Sequence, residues 1–297
     1  MAQFVALMAV PHDPTLPIAA RLATEGKAAS GALLALDLVE AQRRLLAAAR
    51  PDVLVVVGSD HFGQWFMDNM PQFMVGKASR LTGPFPNEVR SWGLKTCDIP
   101  IEGDLARHIL RFGLSRGVDF AYSDEFVADH SFTIPINFVR PENDLPVVPL
   151  FINLLAPPVP PGWRYAQVGR VIREAIAAWP TDLRVALIGT GHMTNAVGSP
   201  LMLQQMTTPE TEWDRRIWAM VRAGDLAGLE AETSWDALYA QGNGTPGFLG
   251  YMLILGAAAG AAPVMAELVA TTAQPAVGLL AWDEAALTSA EAAGVSA

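Results

Sequence analysis

Val53-Leu54-Val55-Val56-Val57-Gly58-Ser59-Asp60-His61-Phe62 is the stretch from which the rest of the chain can be read. Its first five residues are apolar and four of them are β-branched, a composition suited to a strand buried on both faces, and Gly58 closes the run. A Ser-Asp-His triplet at the carboxyl end of such a strand lies where open α/β sheets hold their ligands. Taken alone, Asp60 reads as a turn residue and His61 as an ordinary loop histidine. A second apolar run, residues 4–10, ends in Pro11-His12-Asp13-Pro14. If the two strands are neighbours in one parallel sheet, both imidazoles reach the same end of it, and neutral imidazole is the commonest protein ligand for a transition metal.

Between the two strands, residues 30–49 predict a helix. Leu33, Leu34, Leu38, Ala41 and Leu45 recur at helical spacing, and Glu40, Gln42, Arg43 and Arg44 mark a wet face. Strand, helix, strand is the unit of a parallel sheet. Beyond it the spacing predicts helices over 104–116, 165–179, from Pro209-Glu210-Thr211-Glu212 to 221, over 235–241 and over 248–260. Strands are expected at 120–123, 145–153, 183–188 and 276–282, with Gly83-Pro84-Phe85-Pro86-Asn87 as loop. The alternation runs on past the proline-rich 157–161, so the expectation is a single domain over 1–297 with a polar tail from about 284. The fold class read from this pattern is α/β, a central, largely parallel sheet flanked by helices.

Half of the 297 residues are hydrophobic, enough for a large core, and a formal charge of −10 with three lysines speaks against nucleic acid or an anionic membrane as partner. A lone cysteine, Cys97, excludes an internal disulfide framework and fits a reducing compartment. The longest apolar stretch, 248–264, is rich in Gly and Ala and short for a membrane span, so the expectation is a cytoplasmic protein. Two more histidines stand in small-residue or polar settings: His130 in Asp129-His130-Ser131-Phe132, and His192 in Gly189-Thr190-Gly191-His192-Met193-Thr194-Asn195. His108 sits mid-helix between Arg107 and Arg111 and reads as structural.

Three of these segments resemble a known family. Asp60-His61-Phe62 with Phe66-Met67-Asp68-Asn69-Met70-Pro71-Gln72-Phe73 is similar to the signature of class III, LigB-type, extradiol ring-cleavage dioxygenases; Asp129-His130-Ser131-Phe132-Thr133-Ile134-Pro135 and Pro11-His12 match its other histidine blocks. The resemblance implies a LigB-like α/β domain with a central mixed sheet and Fe(II) at one end. It further implies a small aromatic, catechol-type substrate, in some members carboxylated, with O₂ as co-substrate. By it, His12 and His61 take the metal-ligand places and His130 that of a pocket histidine in acid–base chemistry. Asp60, Phe62 and Gly247 fall at substrate-facing positions. Association as a homo-oligomer or with a small subunit is a further implication.

Two family positions differ. The glutamate ligand expected after a Gly-Asn-Gly loop is replaced in Gly242-Asn243-Gly244-Thr245-Pro246-Gly247, where Gly247 stands in its place. Asn195 stands for the second catalytic histidine, with His192 three residues earlier. A cation held by two neutral imidazoles alone lacks a protein anion, so weak Fe(II), another divalent metal or no metal are all open, and Glu210 or Glu212 is a candidate replacement carboxylate. The alternatives to a dioxygenase are a metal-independent lyase, hydrolase or decarboxylase using His130, His192 and Asn195 on a phenolic compound, and an inactive scaffold subunit. Phe62, Trp65, Phe66, Phe85 and Trp92 could wall an apolar cleft, with Arg80 or Arg90 for an acid group.

Overall fold

The computed structural model describes residues 1–198, 210–271 and 276–292. Its strands are β1 (Gln3–Ala9), β2 (Val53–Gly58), β3 (Phe73–Gly76), β4 (Arg80–Gly83), β5 (Cys97–Pro100), β6 (Ala121–Ser123), β7 (Val147–Ile152), β8 (Arg184–Gly189), β9 (Met265–Val269) and β10 (Val277–Asp283). The helices are α1 (Thr15–Thr24), α2 (Ser30–Ala49), α3 (Pro86–Trp92), α4 (Gly103–Ser115), α5 (His130–Val139), α6 (Gly162–Ala177), α7 (Glu212–Ala223), α8 (Leu226–Glu232), α9 (Trp235–Tyr239), α10 (Leu249–Ala258) and α11 (Glu284–Ala292).

Eight strands form one mixed sheet in the order β6-β3-β7-β2-β8-β1-β10-β9. The centre, β7-β2-β8-β1, is parallel, while β10, β9 and the β3–β7 pairing are antiparallel. This is the α/β class expected, flanked by helices on both faces. β1 and β2 are not neighbours, however: β8 runs between them. That insertion has a consequence for the site, because the loop after β8 then emerges between the loops that carry His12 and His61.

Alternation along β2 divides the core. Val53, Val55 and Val57 face a cluster built with α4, α6, α7 and α10, while Leu54 and Val56 face one built with α2 and α5. Each such fully buried side chain contributes about 1.5–3 kcal/mol of transfer free energy. α2 has the expected bounds, but its buried stripe is Ala32, Ala35, Val39, Gln42 and Leu46, while Leu33 and Leu34 are exposed. Gln42, expected on the wet face, is fully buried and its Nε2 donates to the carbonyls of Ala9 and Leu280. Those two carbonyls lie on adjacent strands, so a buried amide there ties α2 to the sheet.

The stretch 83–87, expected as loop, leads directly into α3, started by Pro86 and by Glu88, whose Oε2 accepts the Phe85 N–H at 3.2 Å. The short β4–β5 hairpin, β3, β9 and α5 are further elements the apolar runs did not indicate. The expected tail from 284 begins as α11, and its last residues, 293–297, lie outside the described residues, as does Pro209 at the expected start of α7. Among the described residues no helix is long and apolar enough to cross a membrane.

Candidate metal centre and active site

The parallel strands β1, β2 and β8 end side by side, and each is followed by residues of the site. His12 follows β1, Asp60 and His61 follow β2, and Thr190 and His192 follow β8. A fourth imidazole arrives from another direction: His130 is the first residue of α5 rather than a loop residue, with Asp129 as its N-cap accepting the Ser131 N–H at 2.9 Å.

Four histidines therefore converge. The His12 ring lies 5.5 Å from that of His61, 5.7 Å from that of His130 and 4.4 Å from that of His192, and His61 and His130 stack at 4.2 Å. His108 is elsewhere, on α4, its Nε2 against the Ala175 carbonyl at 2.8 Å and its ring against Trp179.

Each of three imidazoles is held from behind at Nδ1. His12 pairs with the Thr190 hydroxyl at 2.5 Å, His61 donates to Asp129 Oδ2 at 2.6 Å, and His130 donates to Glu88 Oε1 at 2.5 Å. Nε2 is thereby the ring nitrogen left for a ligand in each, and one ligand atom from each of the three lies within 4.8 Å of the others. His12 Nε2 is buried with no hydrogen-bond partner. Such an orphaned nitrogen costs free energy unless something binds it. Oriented imidazoles, Nδ1 partners that are mostly carboxylates, and an unpaired buried Nε2 are what a divalent cation site requires, so these residues fit a metal.

Electrostatics agree with that use. Burial, followed by the neighbouring His192, His61 and His130, holds the His12 pKa well below the ordinary histidine value, so its lone pair is available. For His61, burial opposes charge, but the Asp129 carboxylate outweighs it, with help from Asp60 and Glu88, and its pKa is raised. Burial also opposes ionisation of Asp129, yet His61, His130 and the Ser131 hydroxyl bring it down to about 2.

The two carboxylates at the centre, Glu88 and Asp129, thus sit behind imidazoles instead of replacing the family glutamate. Neither Glu210 nor Glu212 takes that place: Glu210 pairs with Arg215, 3.7 Å away, and Glu212 is exposed on α7. Gly247 lies in a 3₁₀ turn, Thr245–Phe248, leading into α10, and a Cβ built there would meet His192 Cδ2 at 2.5 Å. The His192 imidazole thus fills the space a side chain at 247 would enter.

Asp60, expected to face substrate, instead winds its own loop. It is buried, and its carboxylate accepts the N–H groups of Gly63, Gln64 and Trp65. Burial raises its pKa even so. That winding places Phe62 at φ +59°, a left-handed conformation few side chains adopt. Phe62 borders a cavity of about 500 Å³ that also touches His61, His192 and Asn195. Gly247 is not on its wall. Asn195 is buried and its backbone N–H donates to the Thr245 hydroxyl at 3.0 Å. Of the expected aromatics, Trp92 packs on His130 and Trp65 on Phe126 and Phe151, away from the cavity.

Fold and site together define an α/β protein with a histidine-rich centre, fit for a divalent metal, at the carboxyl ends of the parallel strands of its sheet. The model of the family described as the catalytic LigB subunit of aromatic ring-opening dioxygenase matches residues 7–280, and the chain belongs to that family. A relative from Rhodococcus sp, named 2,3-dihydroxyphenylpropionate/2,3-dihydroxicinnamic acid 1,2-dioxygenase, is 30% identical over 176 residues, 59% of this chain and 52% of the relative. One of the same name from Xanthobacter autotrophicus is 29% identical over 221 residues, 69% of this chain and 67% of its own. The chain thus matches about half to two thirds of these relatives' length. Among solved structures, an uncharacterized protein from Escherichia coli K12 shares the fold, with a TM-score of 0.53 at 16% identity over 82% of this chain and 91% of that one.

Proposed function

We propose that the chain is an extradiol dioxygenase that opens a catechol-type ring at a non-haem divalent metal, Fe(II) by the family's chemistry. The observation that carries this reading is the inward set of His12, His61 and His130, whose nitrogens lie within 4.8 Å of one another while Thr190, Asp129 and Glu88 hold them from behind. The metal, when bound, supplies a Lewis-acid and redox centre for a catecholate and O₂.

The chain's own groups do the rest. His12 stays neutral and offers Nε2 directly. His61 gives up its Nε2 proton before it can donate, with the positive charge of the centre offset by Asp129. His192, at the cavity, takes a proton from a diol hydroxyl, and the Asn195 amide beside it offers the diol a hydrogen bond. His130 has two possible duties, third ligand or proton carrier at Nε2. The nitrogen cluster favours the ligand, which makes the centre all-imidazole with its anions one shell out. Such a centre holds its metal more weakly than one with a carboxylate ligand.

Titration of the metal-free chain with Fe(II) or Co(II) tests this. Binding of one equivalent, reversed by a chelator, is expected, and His12→Ala should remove it. With His130→Ala, loss of metal affinity marks a ligand, whereas retained affinity with a collapse in kcat marks a proton carrier. A chain that binds no divalent metal at the histidine cluster sinks the reading.

A further inference from the structure

The cavity beside the histidines carries information about what the substrate bears besides its two hydroxyls. At about 500 Å³ it falls inside the range of small-molecule sites, about 300–1,000 Å³. Its floor is His61, His192 and Asn195, and its walls are Phe62, Leu155, Val197, Trp235 and Tyr239. Trp235 and Tyr239 lie one turn apart on α9 with their rings stacked at 5.6 Å, and Val197 and Tyr239 are exposed, so apolar surface leads outward from the centre to solvent.

Charge is what this wall lacks. None of the described lining residues is Lys, Arg, Asp or Glu. The stretch 199–209, outside the described residues, has no Lys or Arg in its sequence. Both arginines the sequence suggested for an acid group lie off the wall, Arg80 paired with Asp98 on the β4–β5 hairpin and Arg90 exposed on α3. The polar wall residue Asn243 is also engaged, its Oδ1 accepting the Val197 N–H at 2.7 Å and its Nδ2 donating to the Val197 carbonyl at 2.9 Å.

We propose that this cavity is a subsite for an uncharged apolar substituent of the substrate ring, best an aromatic one, and that it selects against a carboxylate-bearing tail. The assignment rests on the ring-opening reading above and deepens it. An ionised carboxylate set against Phe62, Leu155, Trp235 and Tyr239, away from the histidine floor, loses its water and meets no Lys or Arg among the described lining residues, which is costly in a partly desolvated site. A phenyl or alkyl group instead loses unfavourable hydration and meets aromatic faces. The curated relatives' names carry a propionate or acrylate side chain, and this chain departs from them at that end of the substrate.

The test is anaerobic calorimetry on the metal-loaded chain near neutral pH with catechol, 3-phenylcatechol and 3-(2,3-dihydroxyphenyl)propionate. The phenyl compound is expected to bind at least about tenfold more tightly than the propionate, the order of penalty an unpaired buried charge imposes. Trp235→Ala should shrink the ratio of phenylcatechol to catechol affinity, and Leu155→Arg should narrow or invert the preference between the two tails. Binding of the propionate as tightly as the phenyl compound, with catechol also bound, overturns the neutral-tail assignment alone. Failure of all three diols to bind overturns the ring-opening reading and this one with it.

Discussion

At the residue scale, the site depends on which atom each imidazole presents, and the partners at Nδ1 decide that. Asp129 does double duty, capping α5 through Oδ1 and orienting His61 through Oδ2. Asp129→Asn should lower metal affinity by about 10–100-fold, the usual cost of losing such a partner, measurable by competition with a chromophoric chelator. The same carboxylate gives a pH dependence of known sign. Its pKa is depressed from 3.8 to about 2, so its stabilisation is complete above the unfolded value and is lost as pH falls from about 4 towards 2. Acid titration of stability should show that arm in the wild type and a smaller one in Asp129→Asn. Restoring the family glutamate is not a single step here, because a side chain at 247 meets the His192 ring. Gly247→Glu alone should destabilise the fold and bind metal no better. Combined with His192→Gly it should bind metal more tightly than the single variant, as a metal titration and a melting curve on both will show.

Elements account for what could and could not be read in advance. Residues 53–57 announce β2 because four β-branched residues in five admit few other structures, and the Asp60-His61 and His12 sites follow from where that strand and β1 end. Glu88 is hard to pick out because 83–87 has the composition of a turn, although Pro86 with a glutamate two residues on is a helix-start pattern. The α2 stripe is displaced because Leu33, Leu34, Leu38 and Leu45 outweigh Ala32, Ala35 and Gln42 on any hydropathy scale, yet the close approach to the sheet selects the small residues and the tethering amide. Close approach also governs α6 against α10: a Cβ at Gly256 would lie 2.1 Å from the Ala166 carbonyl oxygen, and one at Gly169 would lie 2.0 Å from that of Leu253. Gly256→Ala should cost about 1–3 kcal/mol or more by overpacking, read as a shift of the urea midpoint. Cys97, on β5, is buried, and burial with Asp98 nearby pushes its thiol up to about 11. At pH 8 only roughly one molecule in a thousand then carries the thiolate, so alkylation of the native chain should be slow and should accelerate on unfolding.

At the scale of the whole molecule, strand–helix alternation and strand composition indicated the class of fold but not the order of strands. Nothing in residues 184–189 says that they run between β1 and β2, and that position brings Thr190 behind His12 and His192 beside it. The central proposal is that the histidine centre holds a metal and opens a catechol ring with O₂. Oxygen uptake by the Fe(II)-loaded chain on addition of catechol tests it most directly. One O₂ is expected to be consumed per catechol opened, with uptake abolished by a chelator and by His12→Ala. Uptake that survives both, or an iron-loaded chain that consumes no oxygen with any catechol, would contradict it.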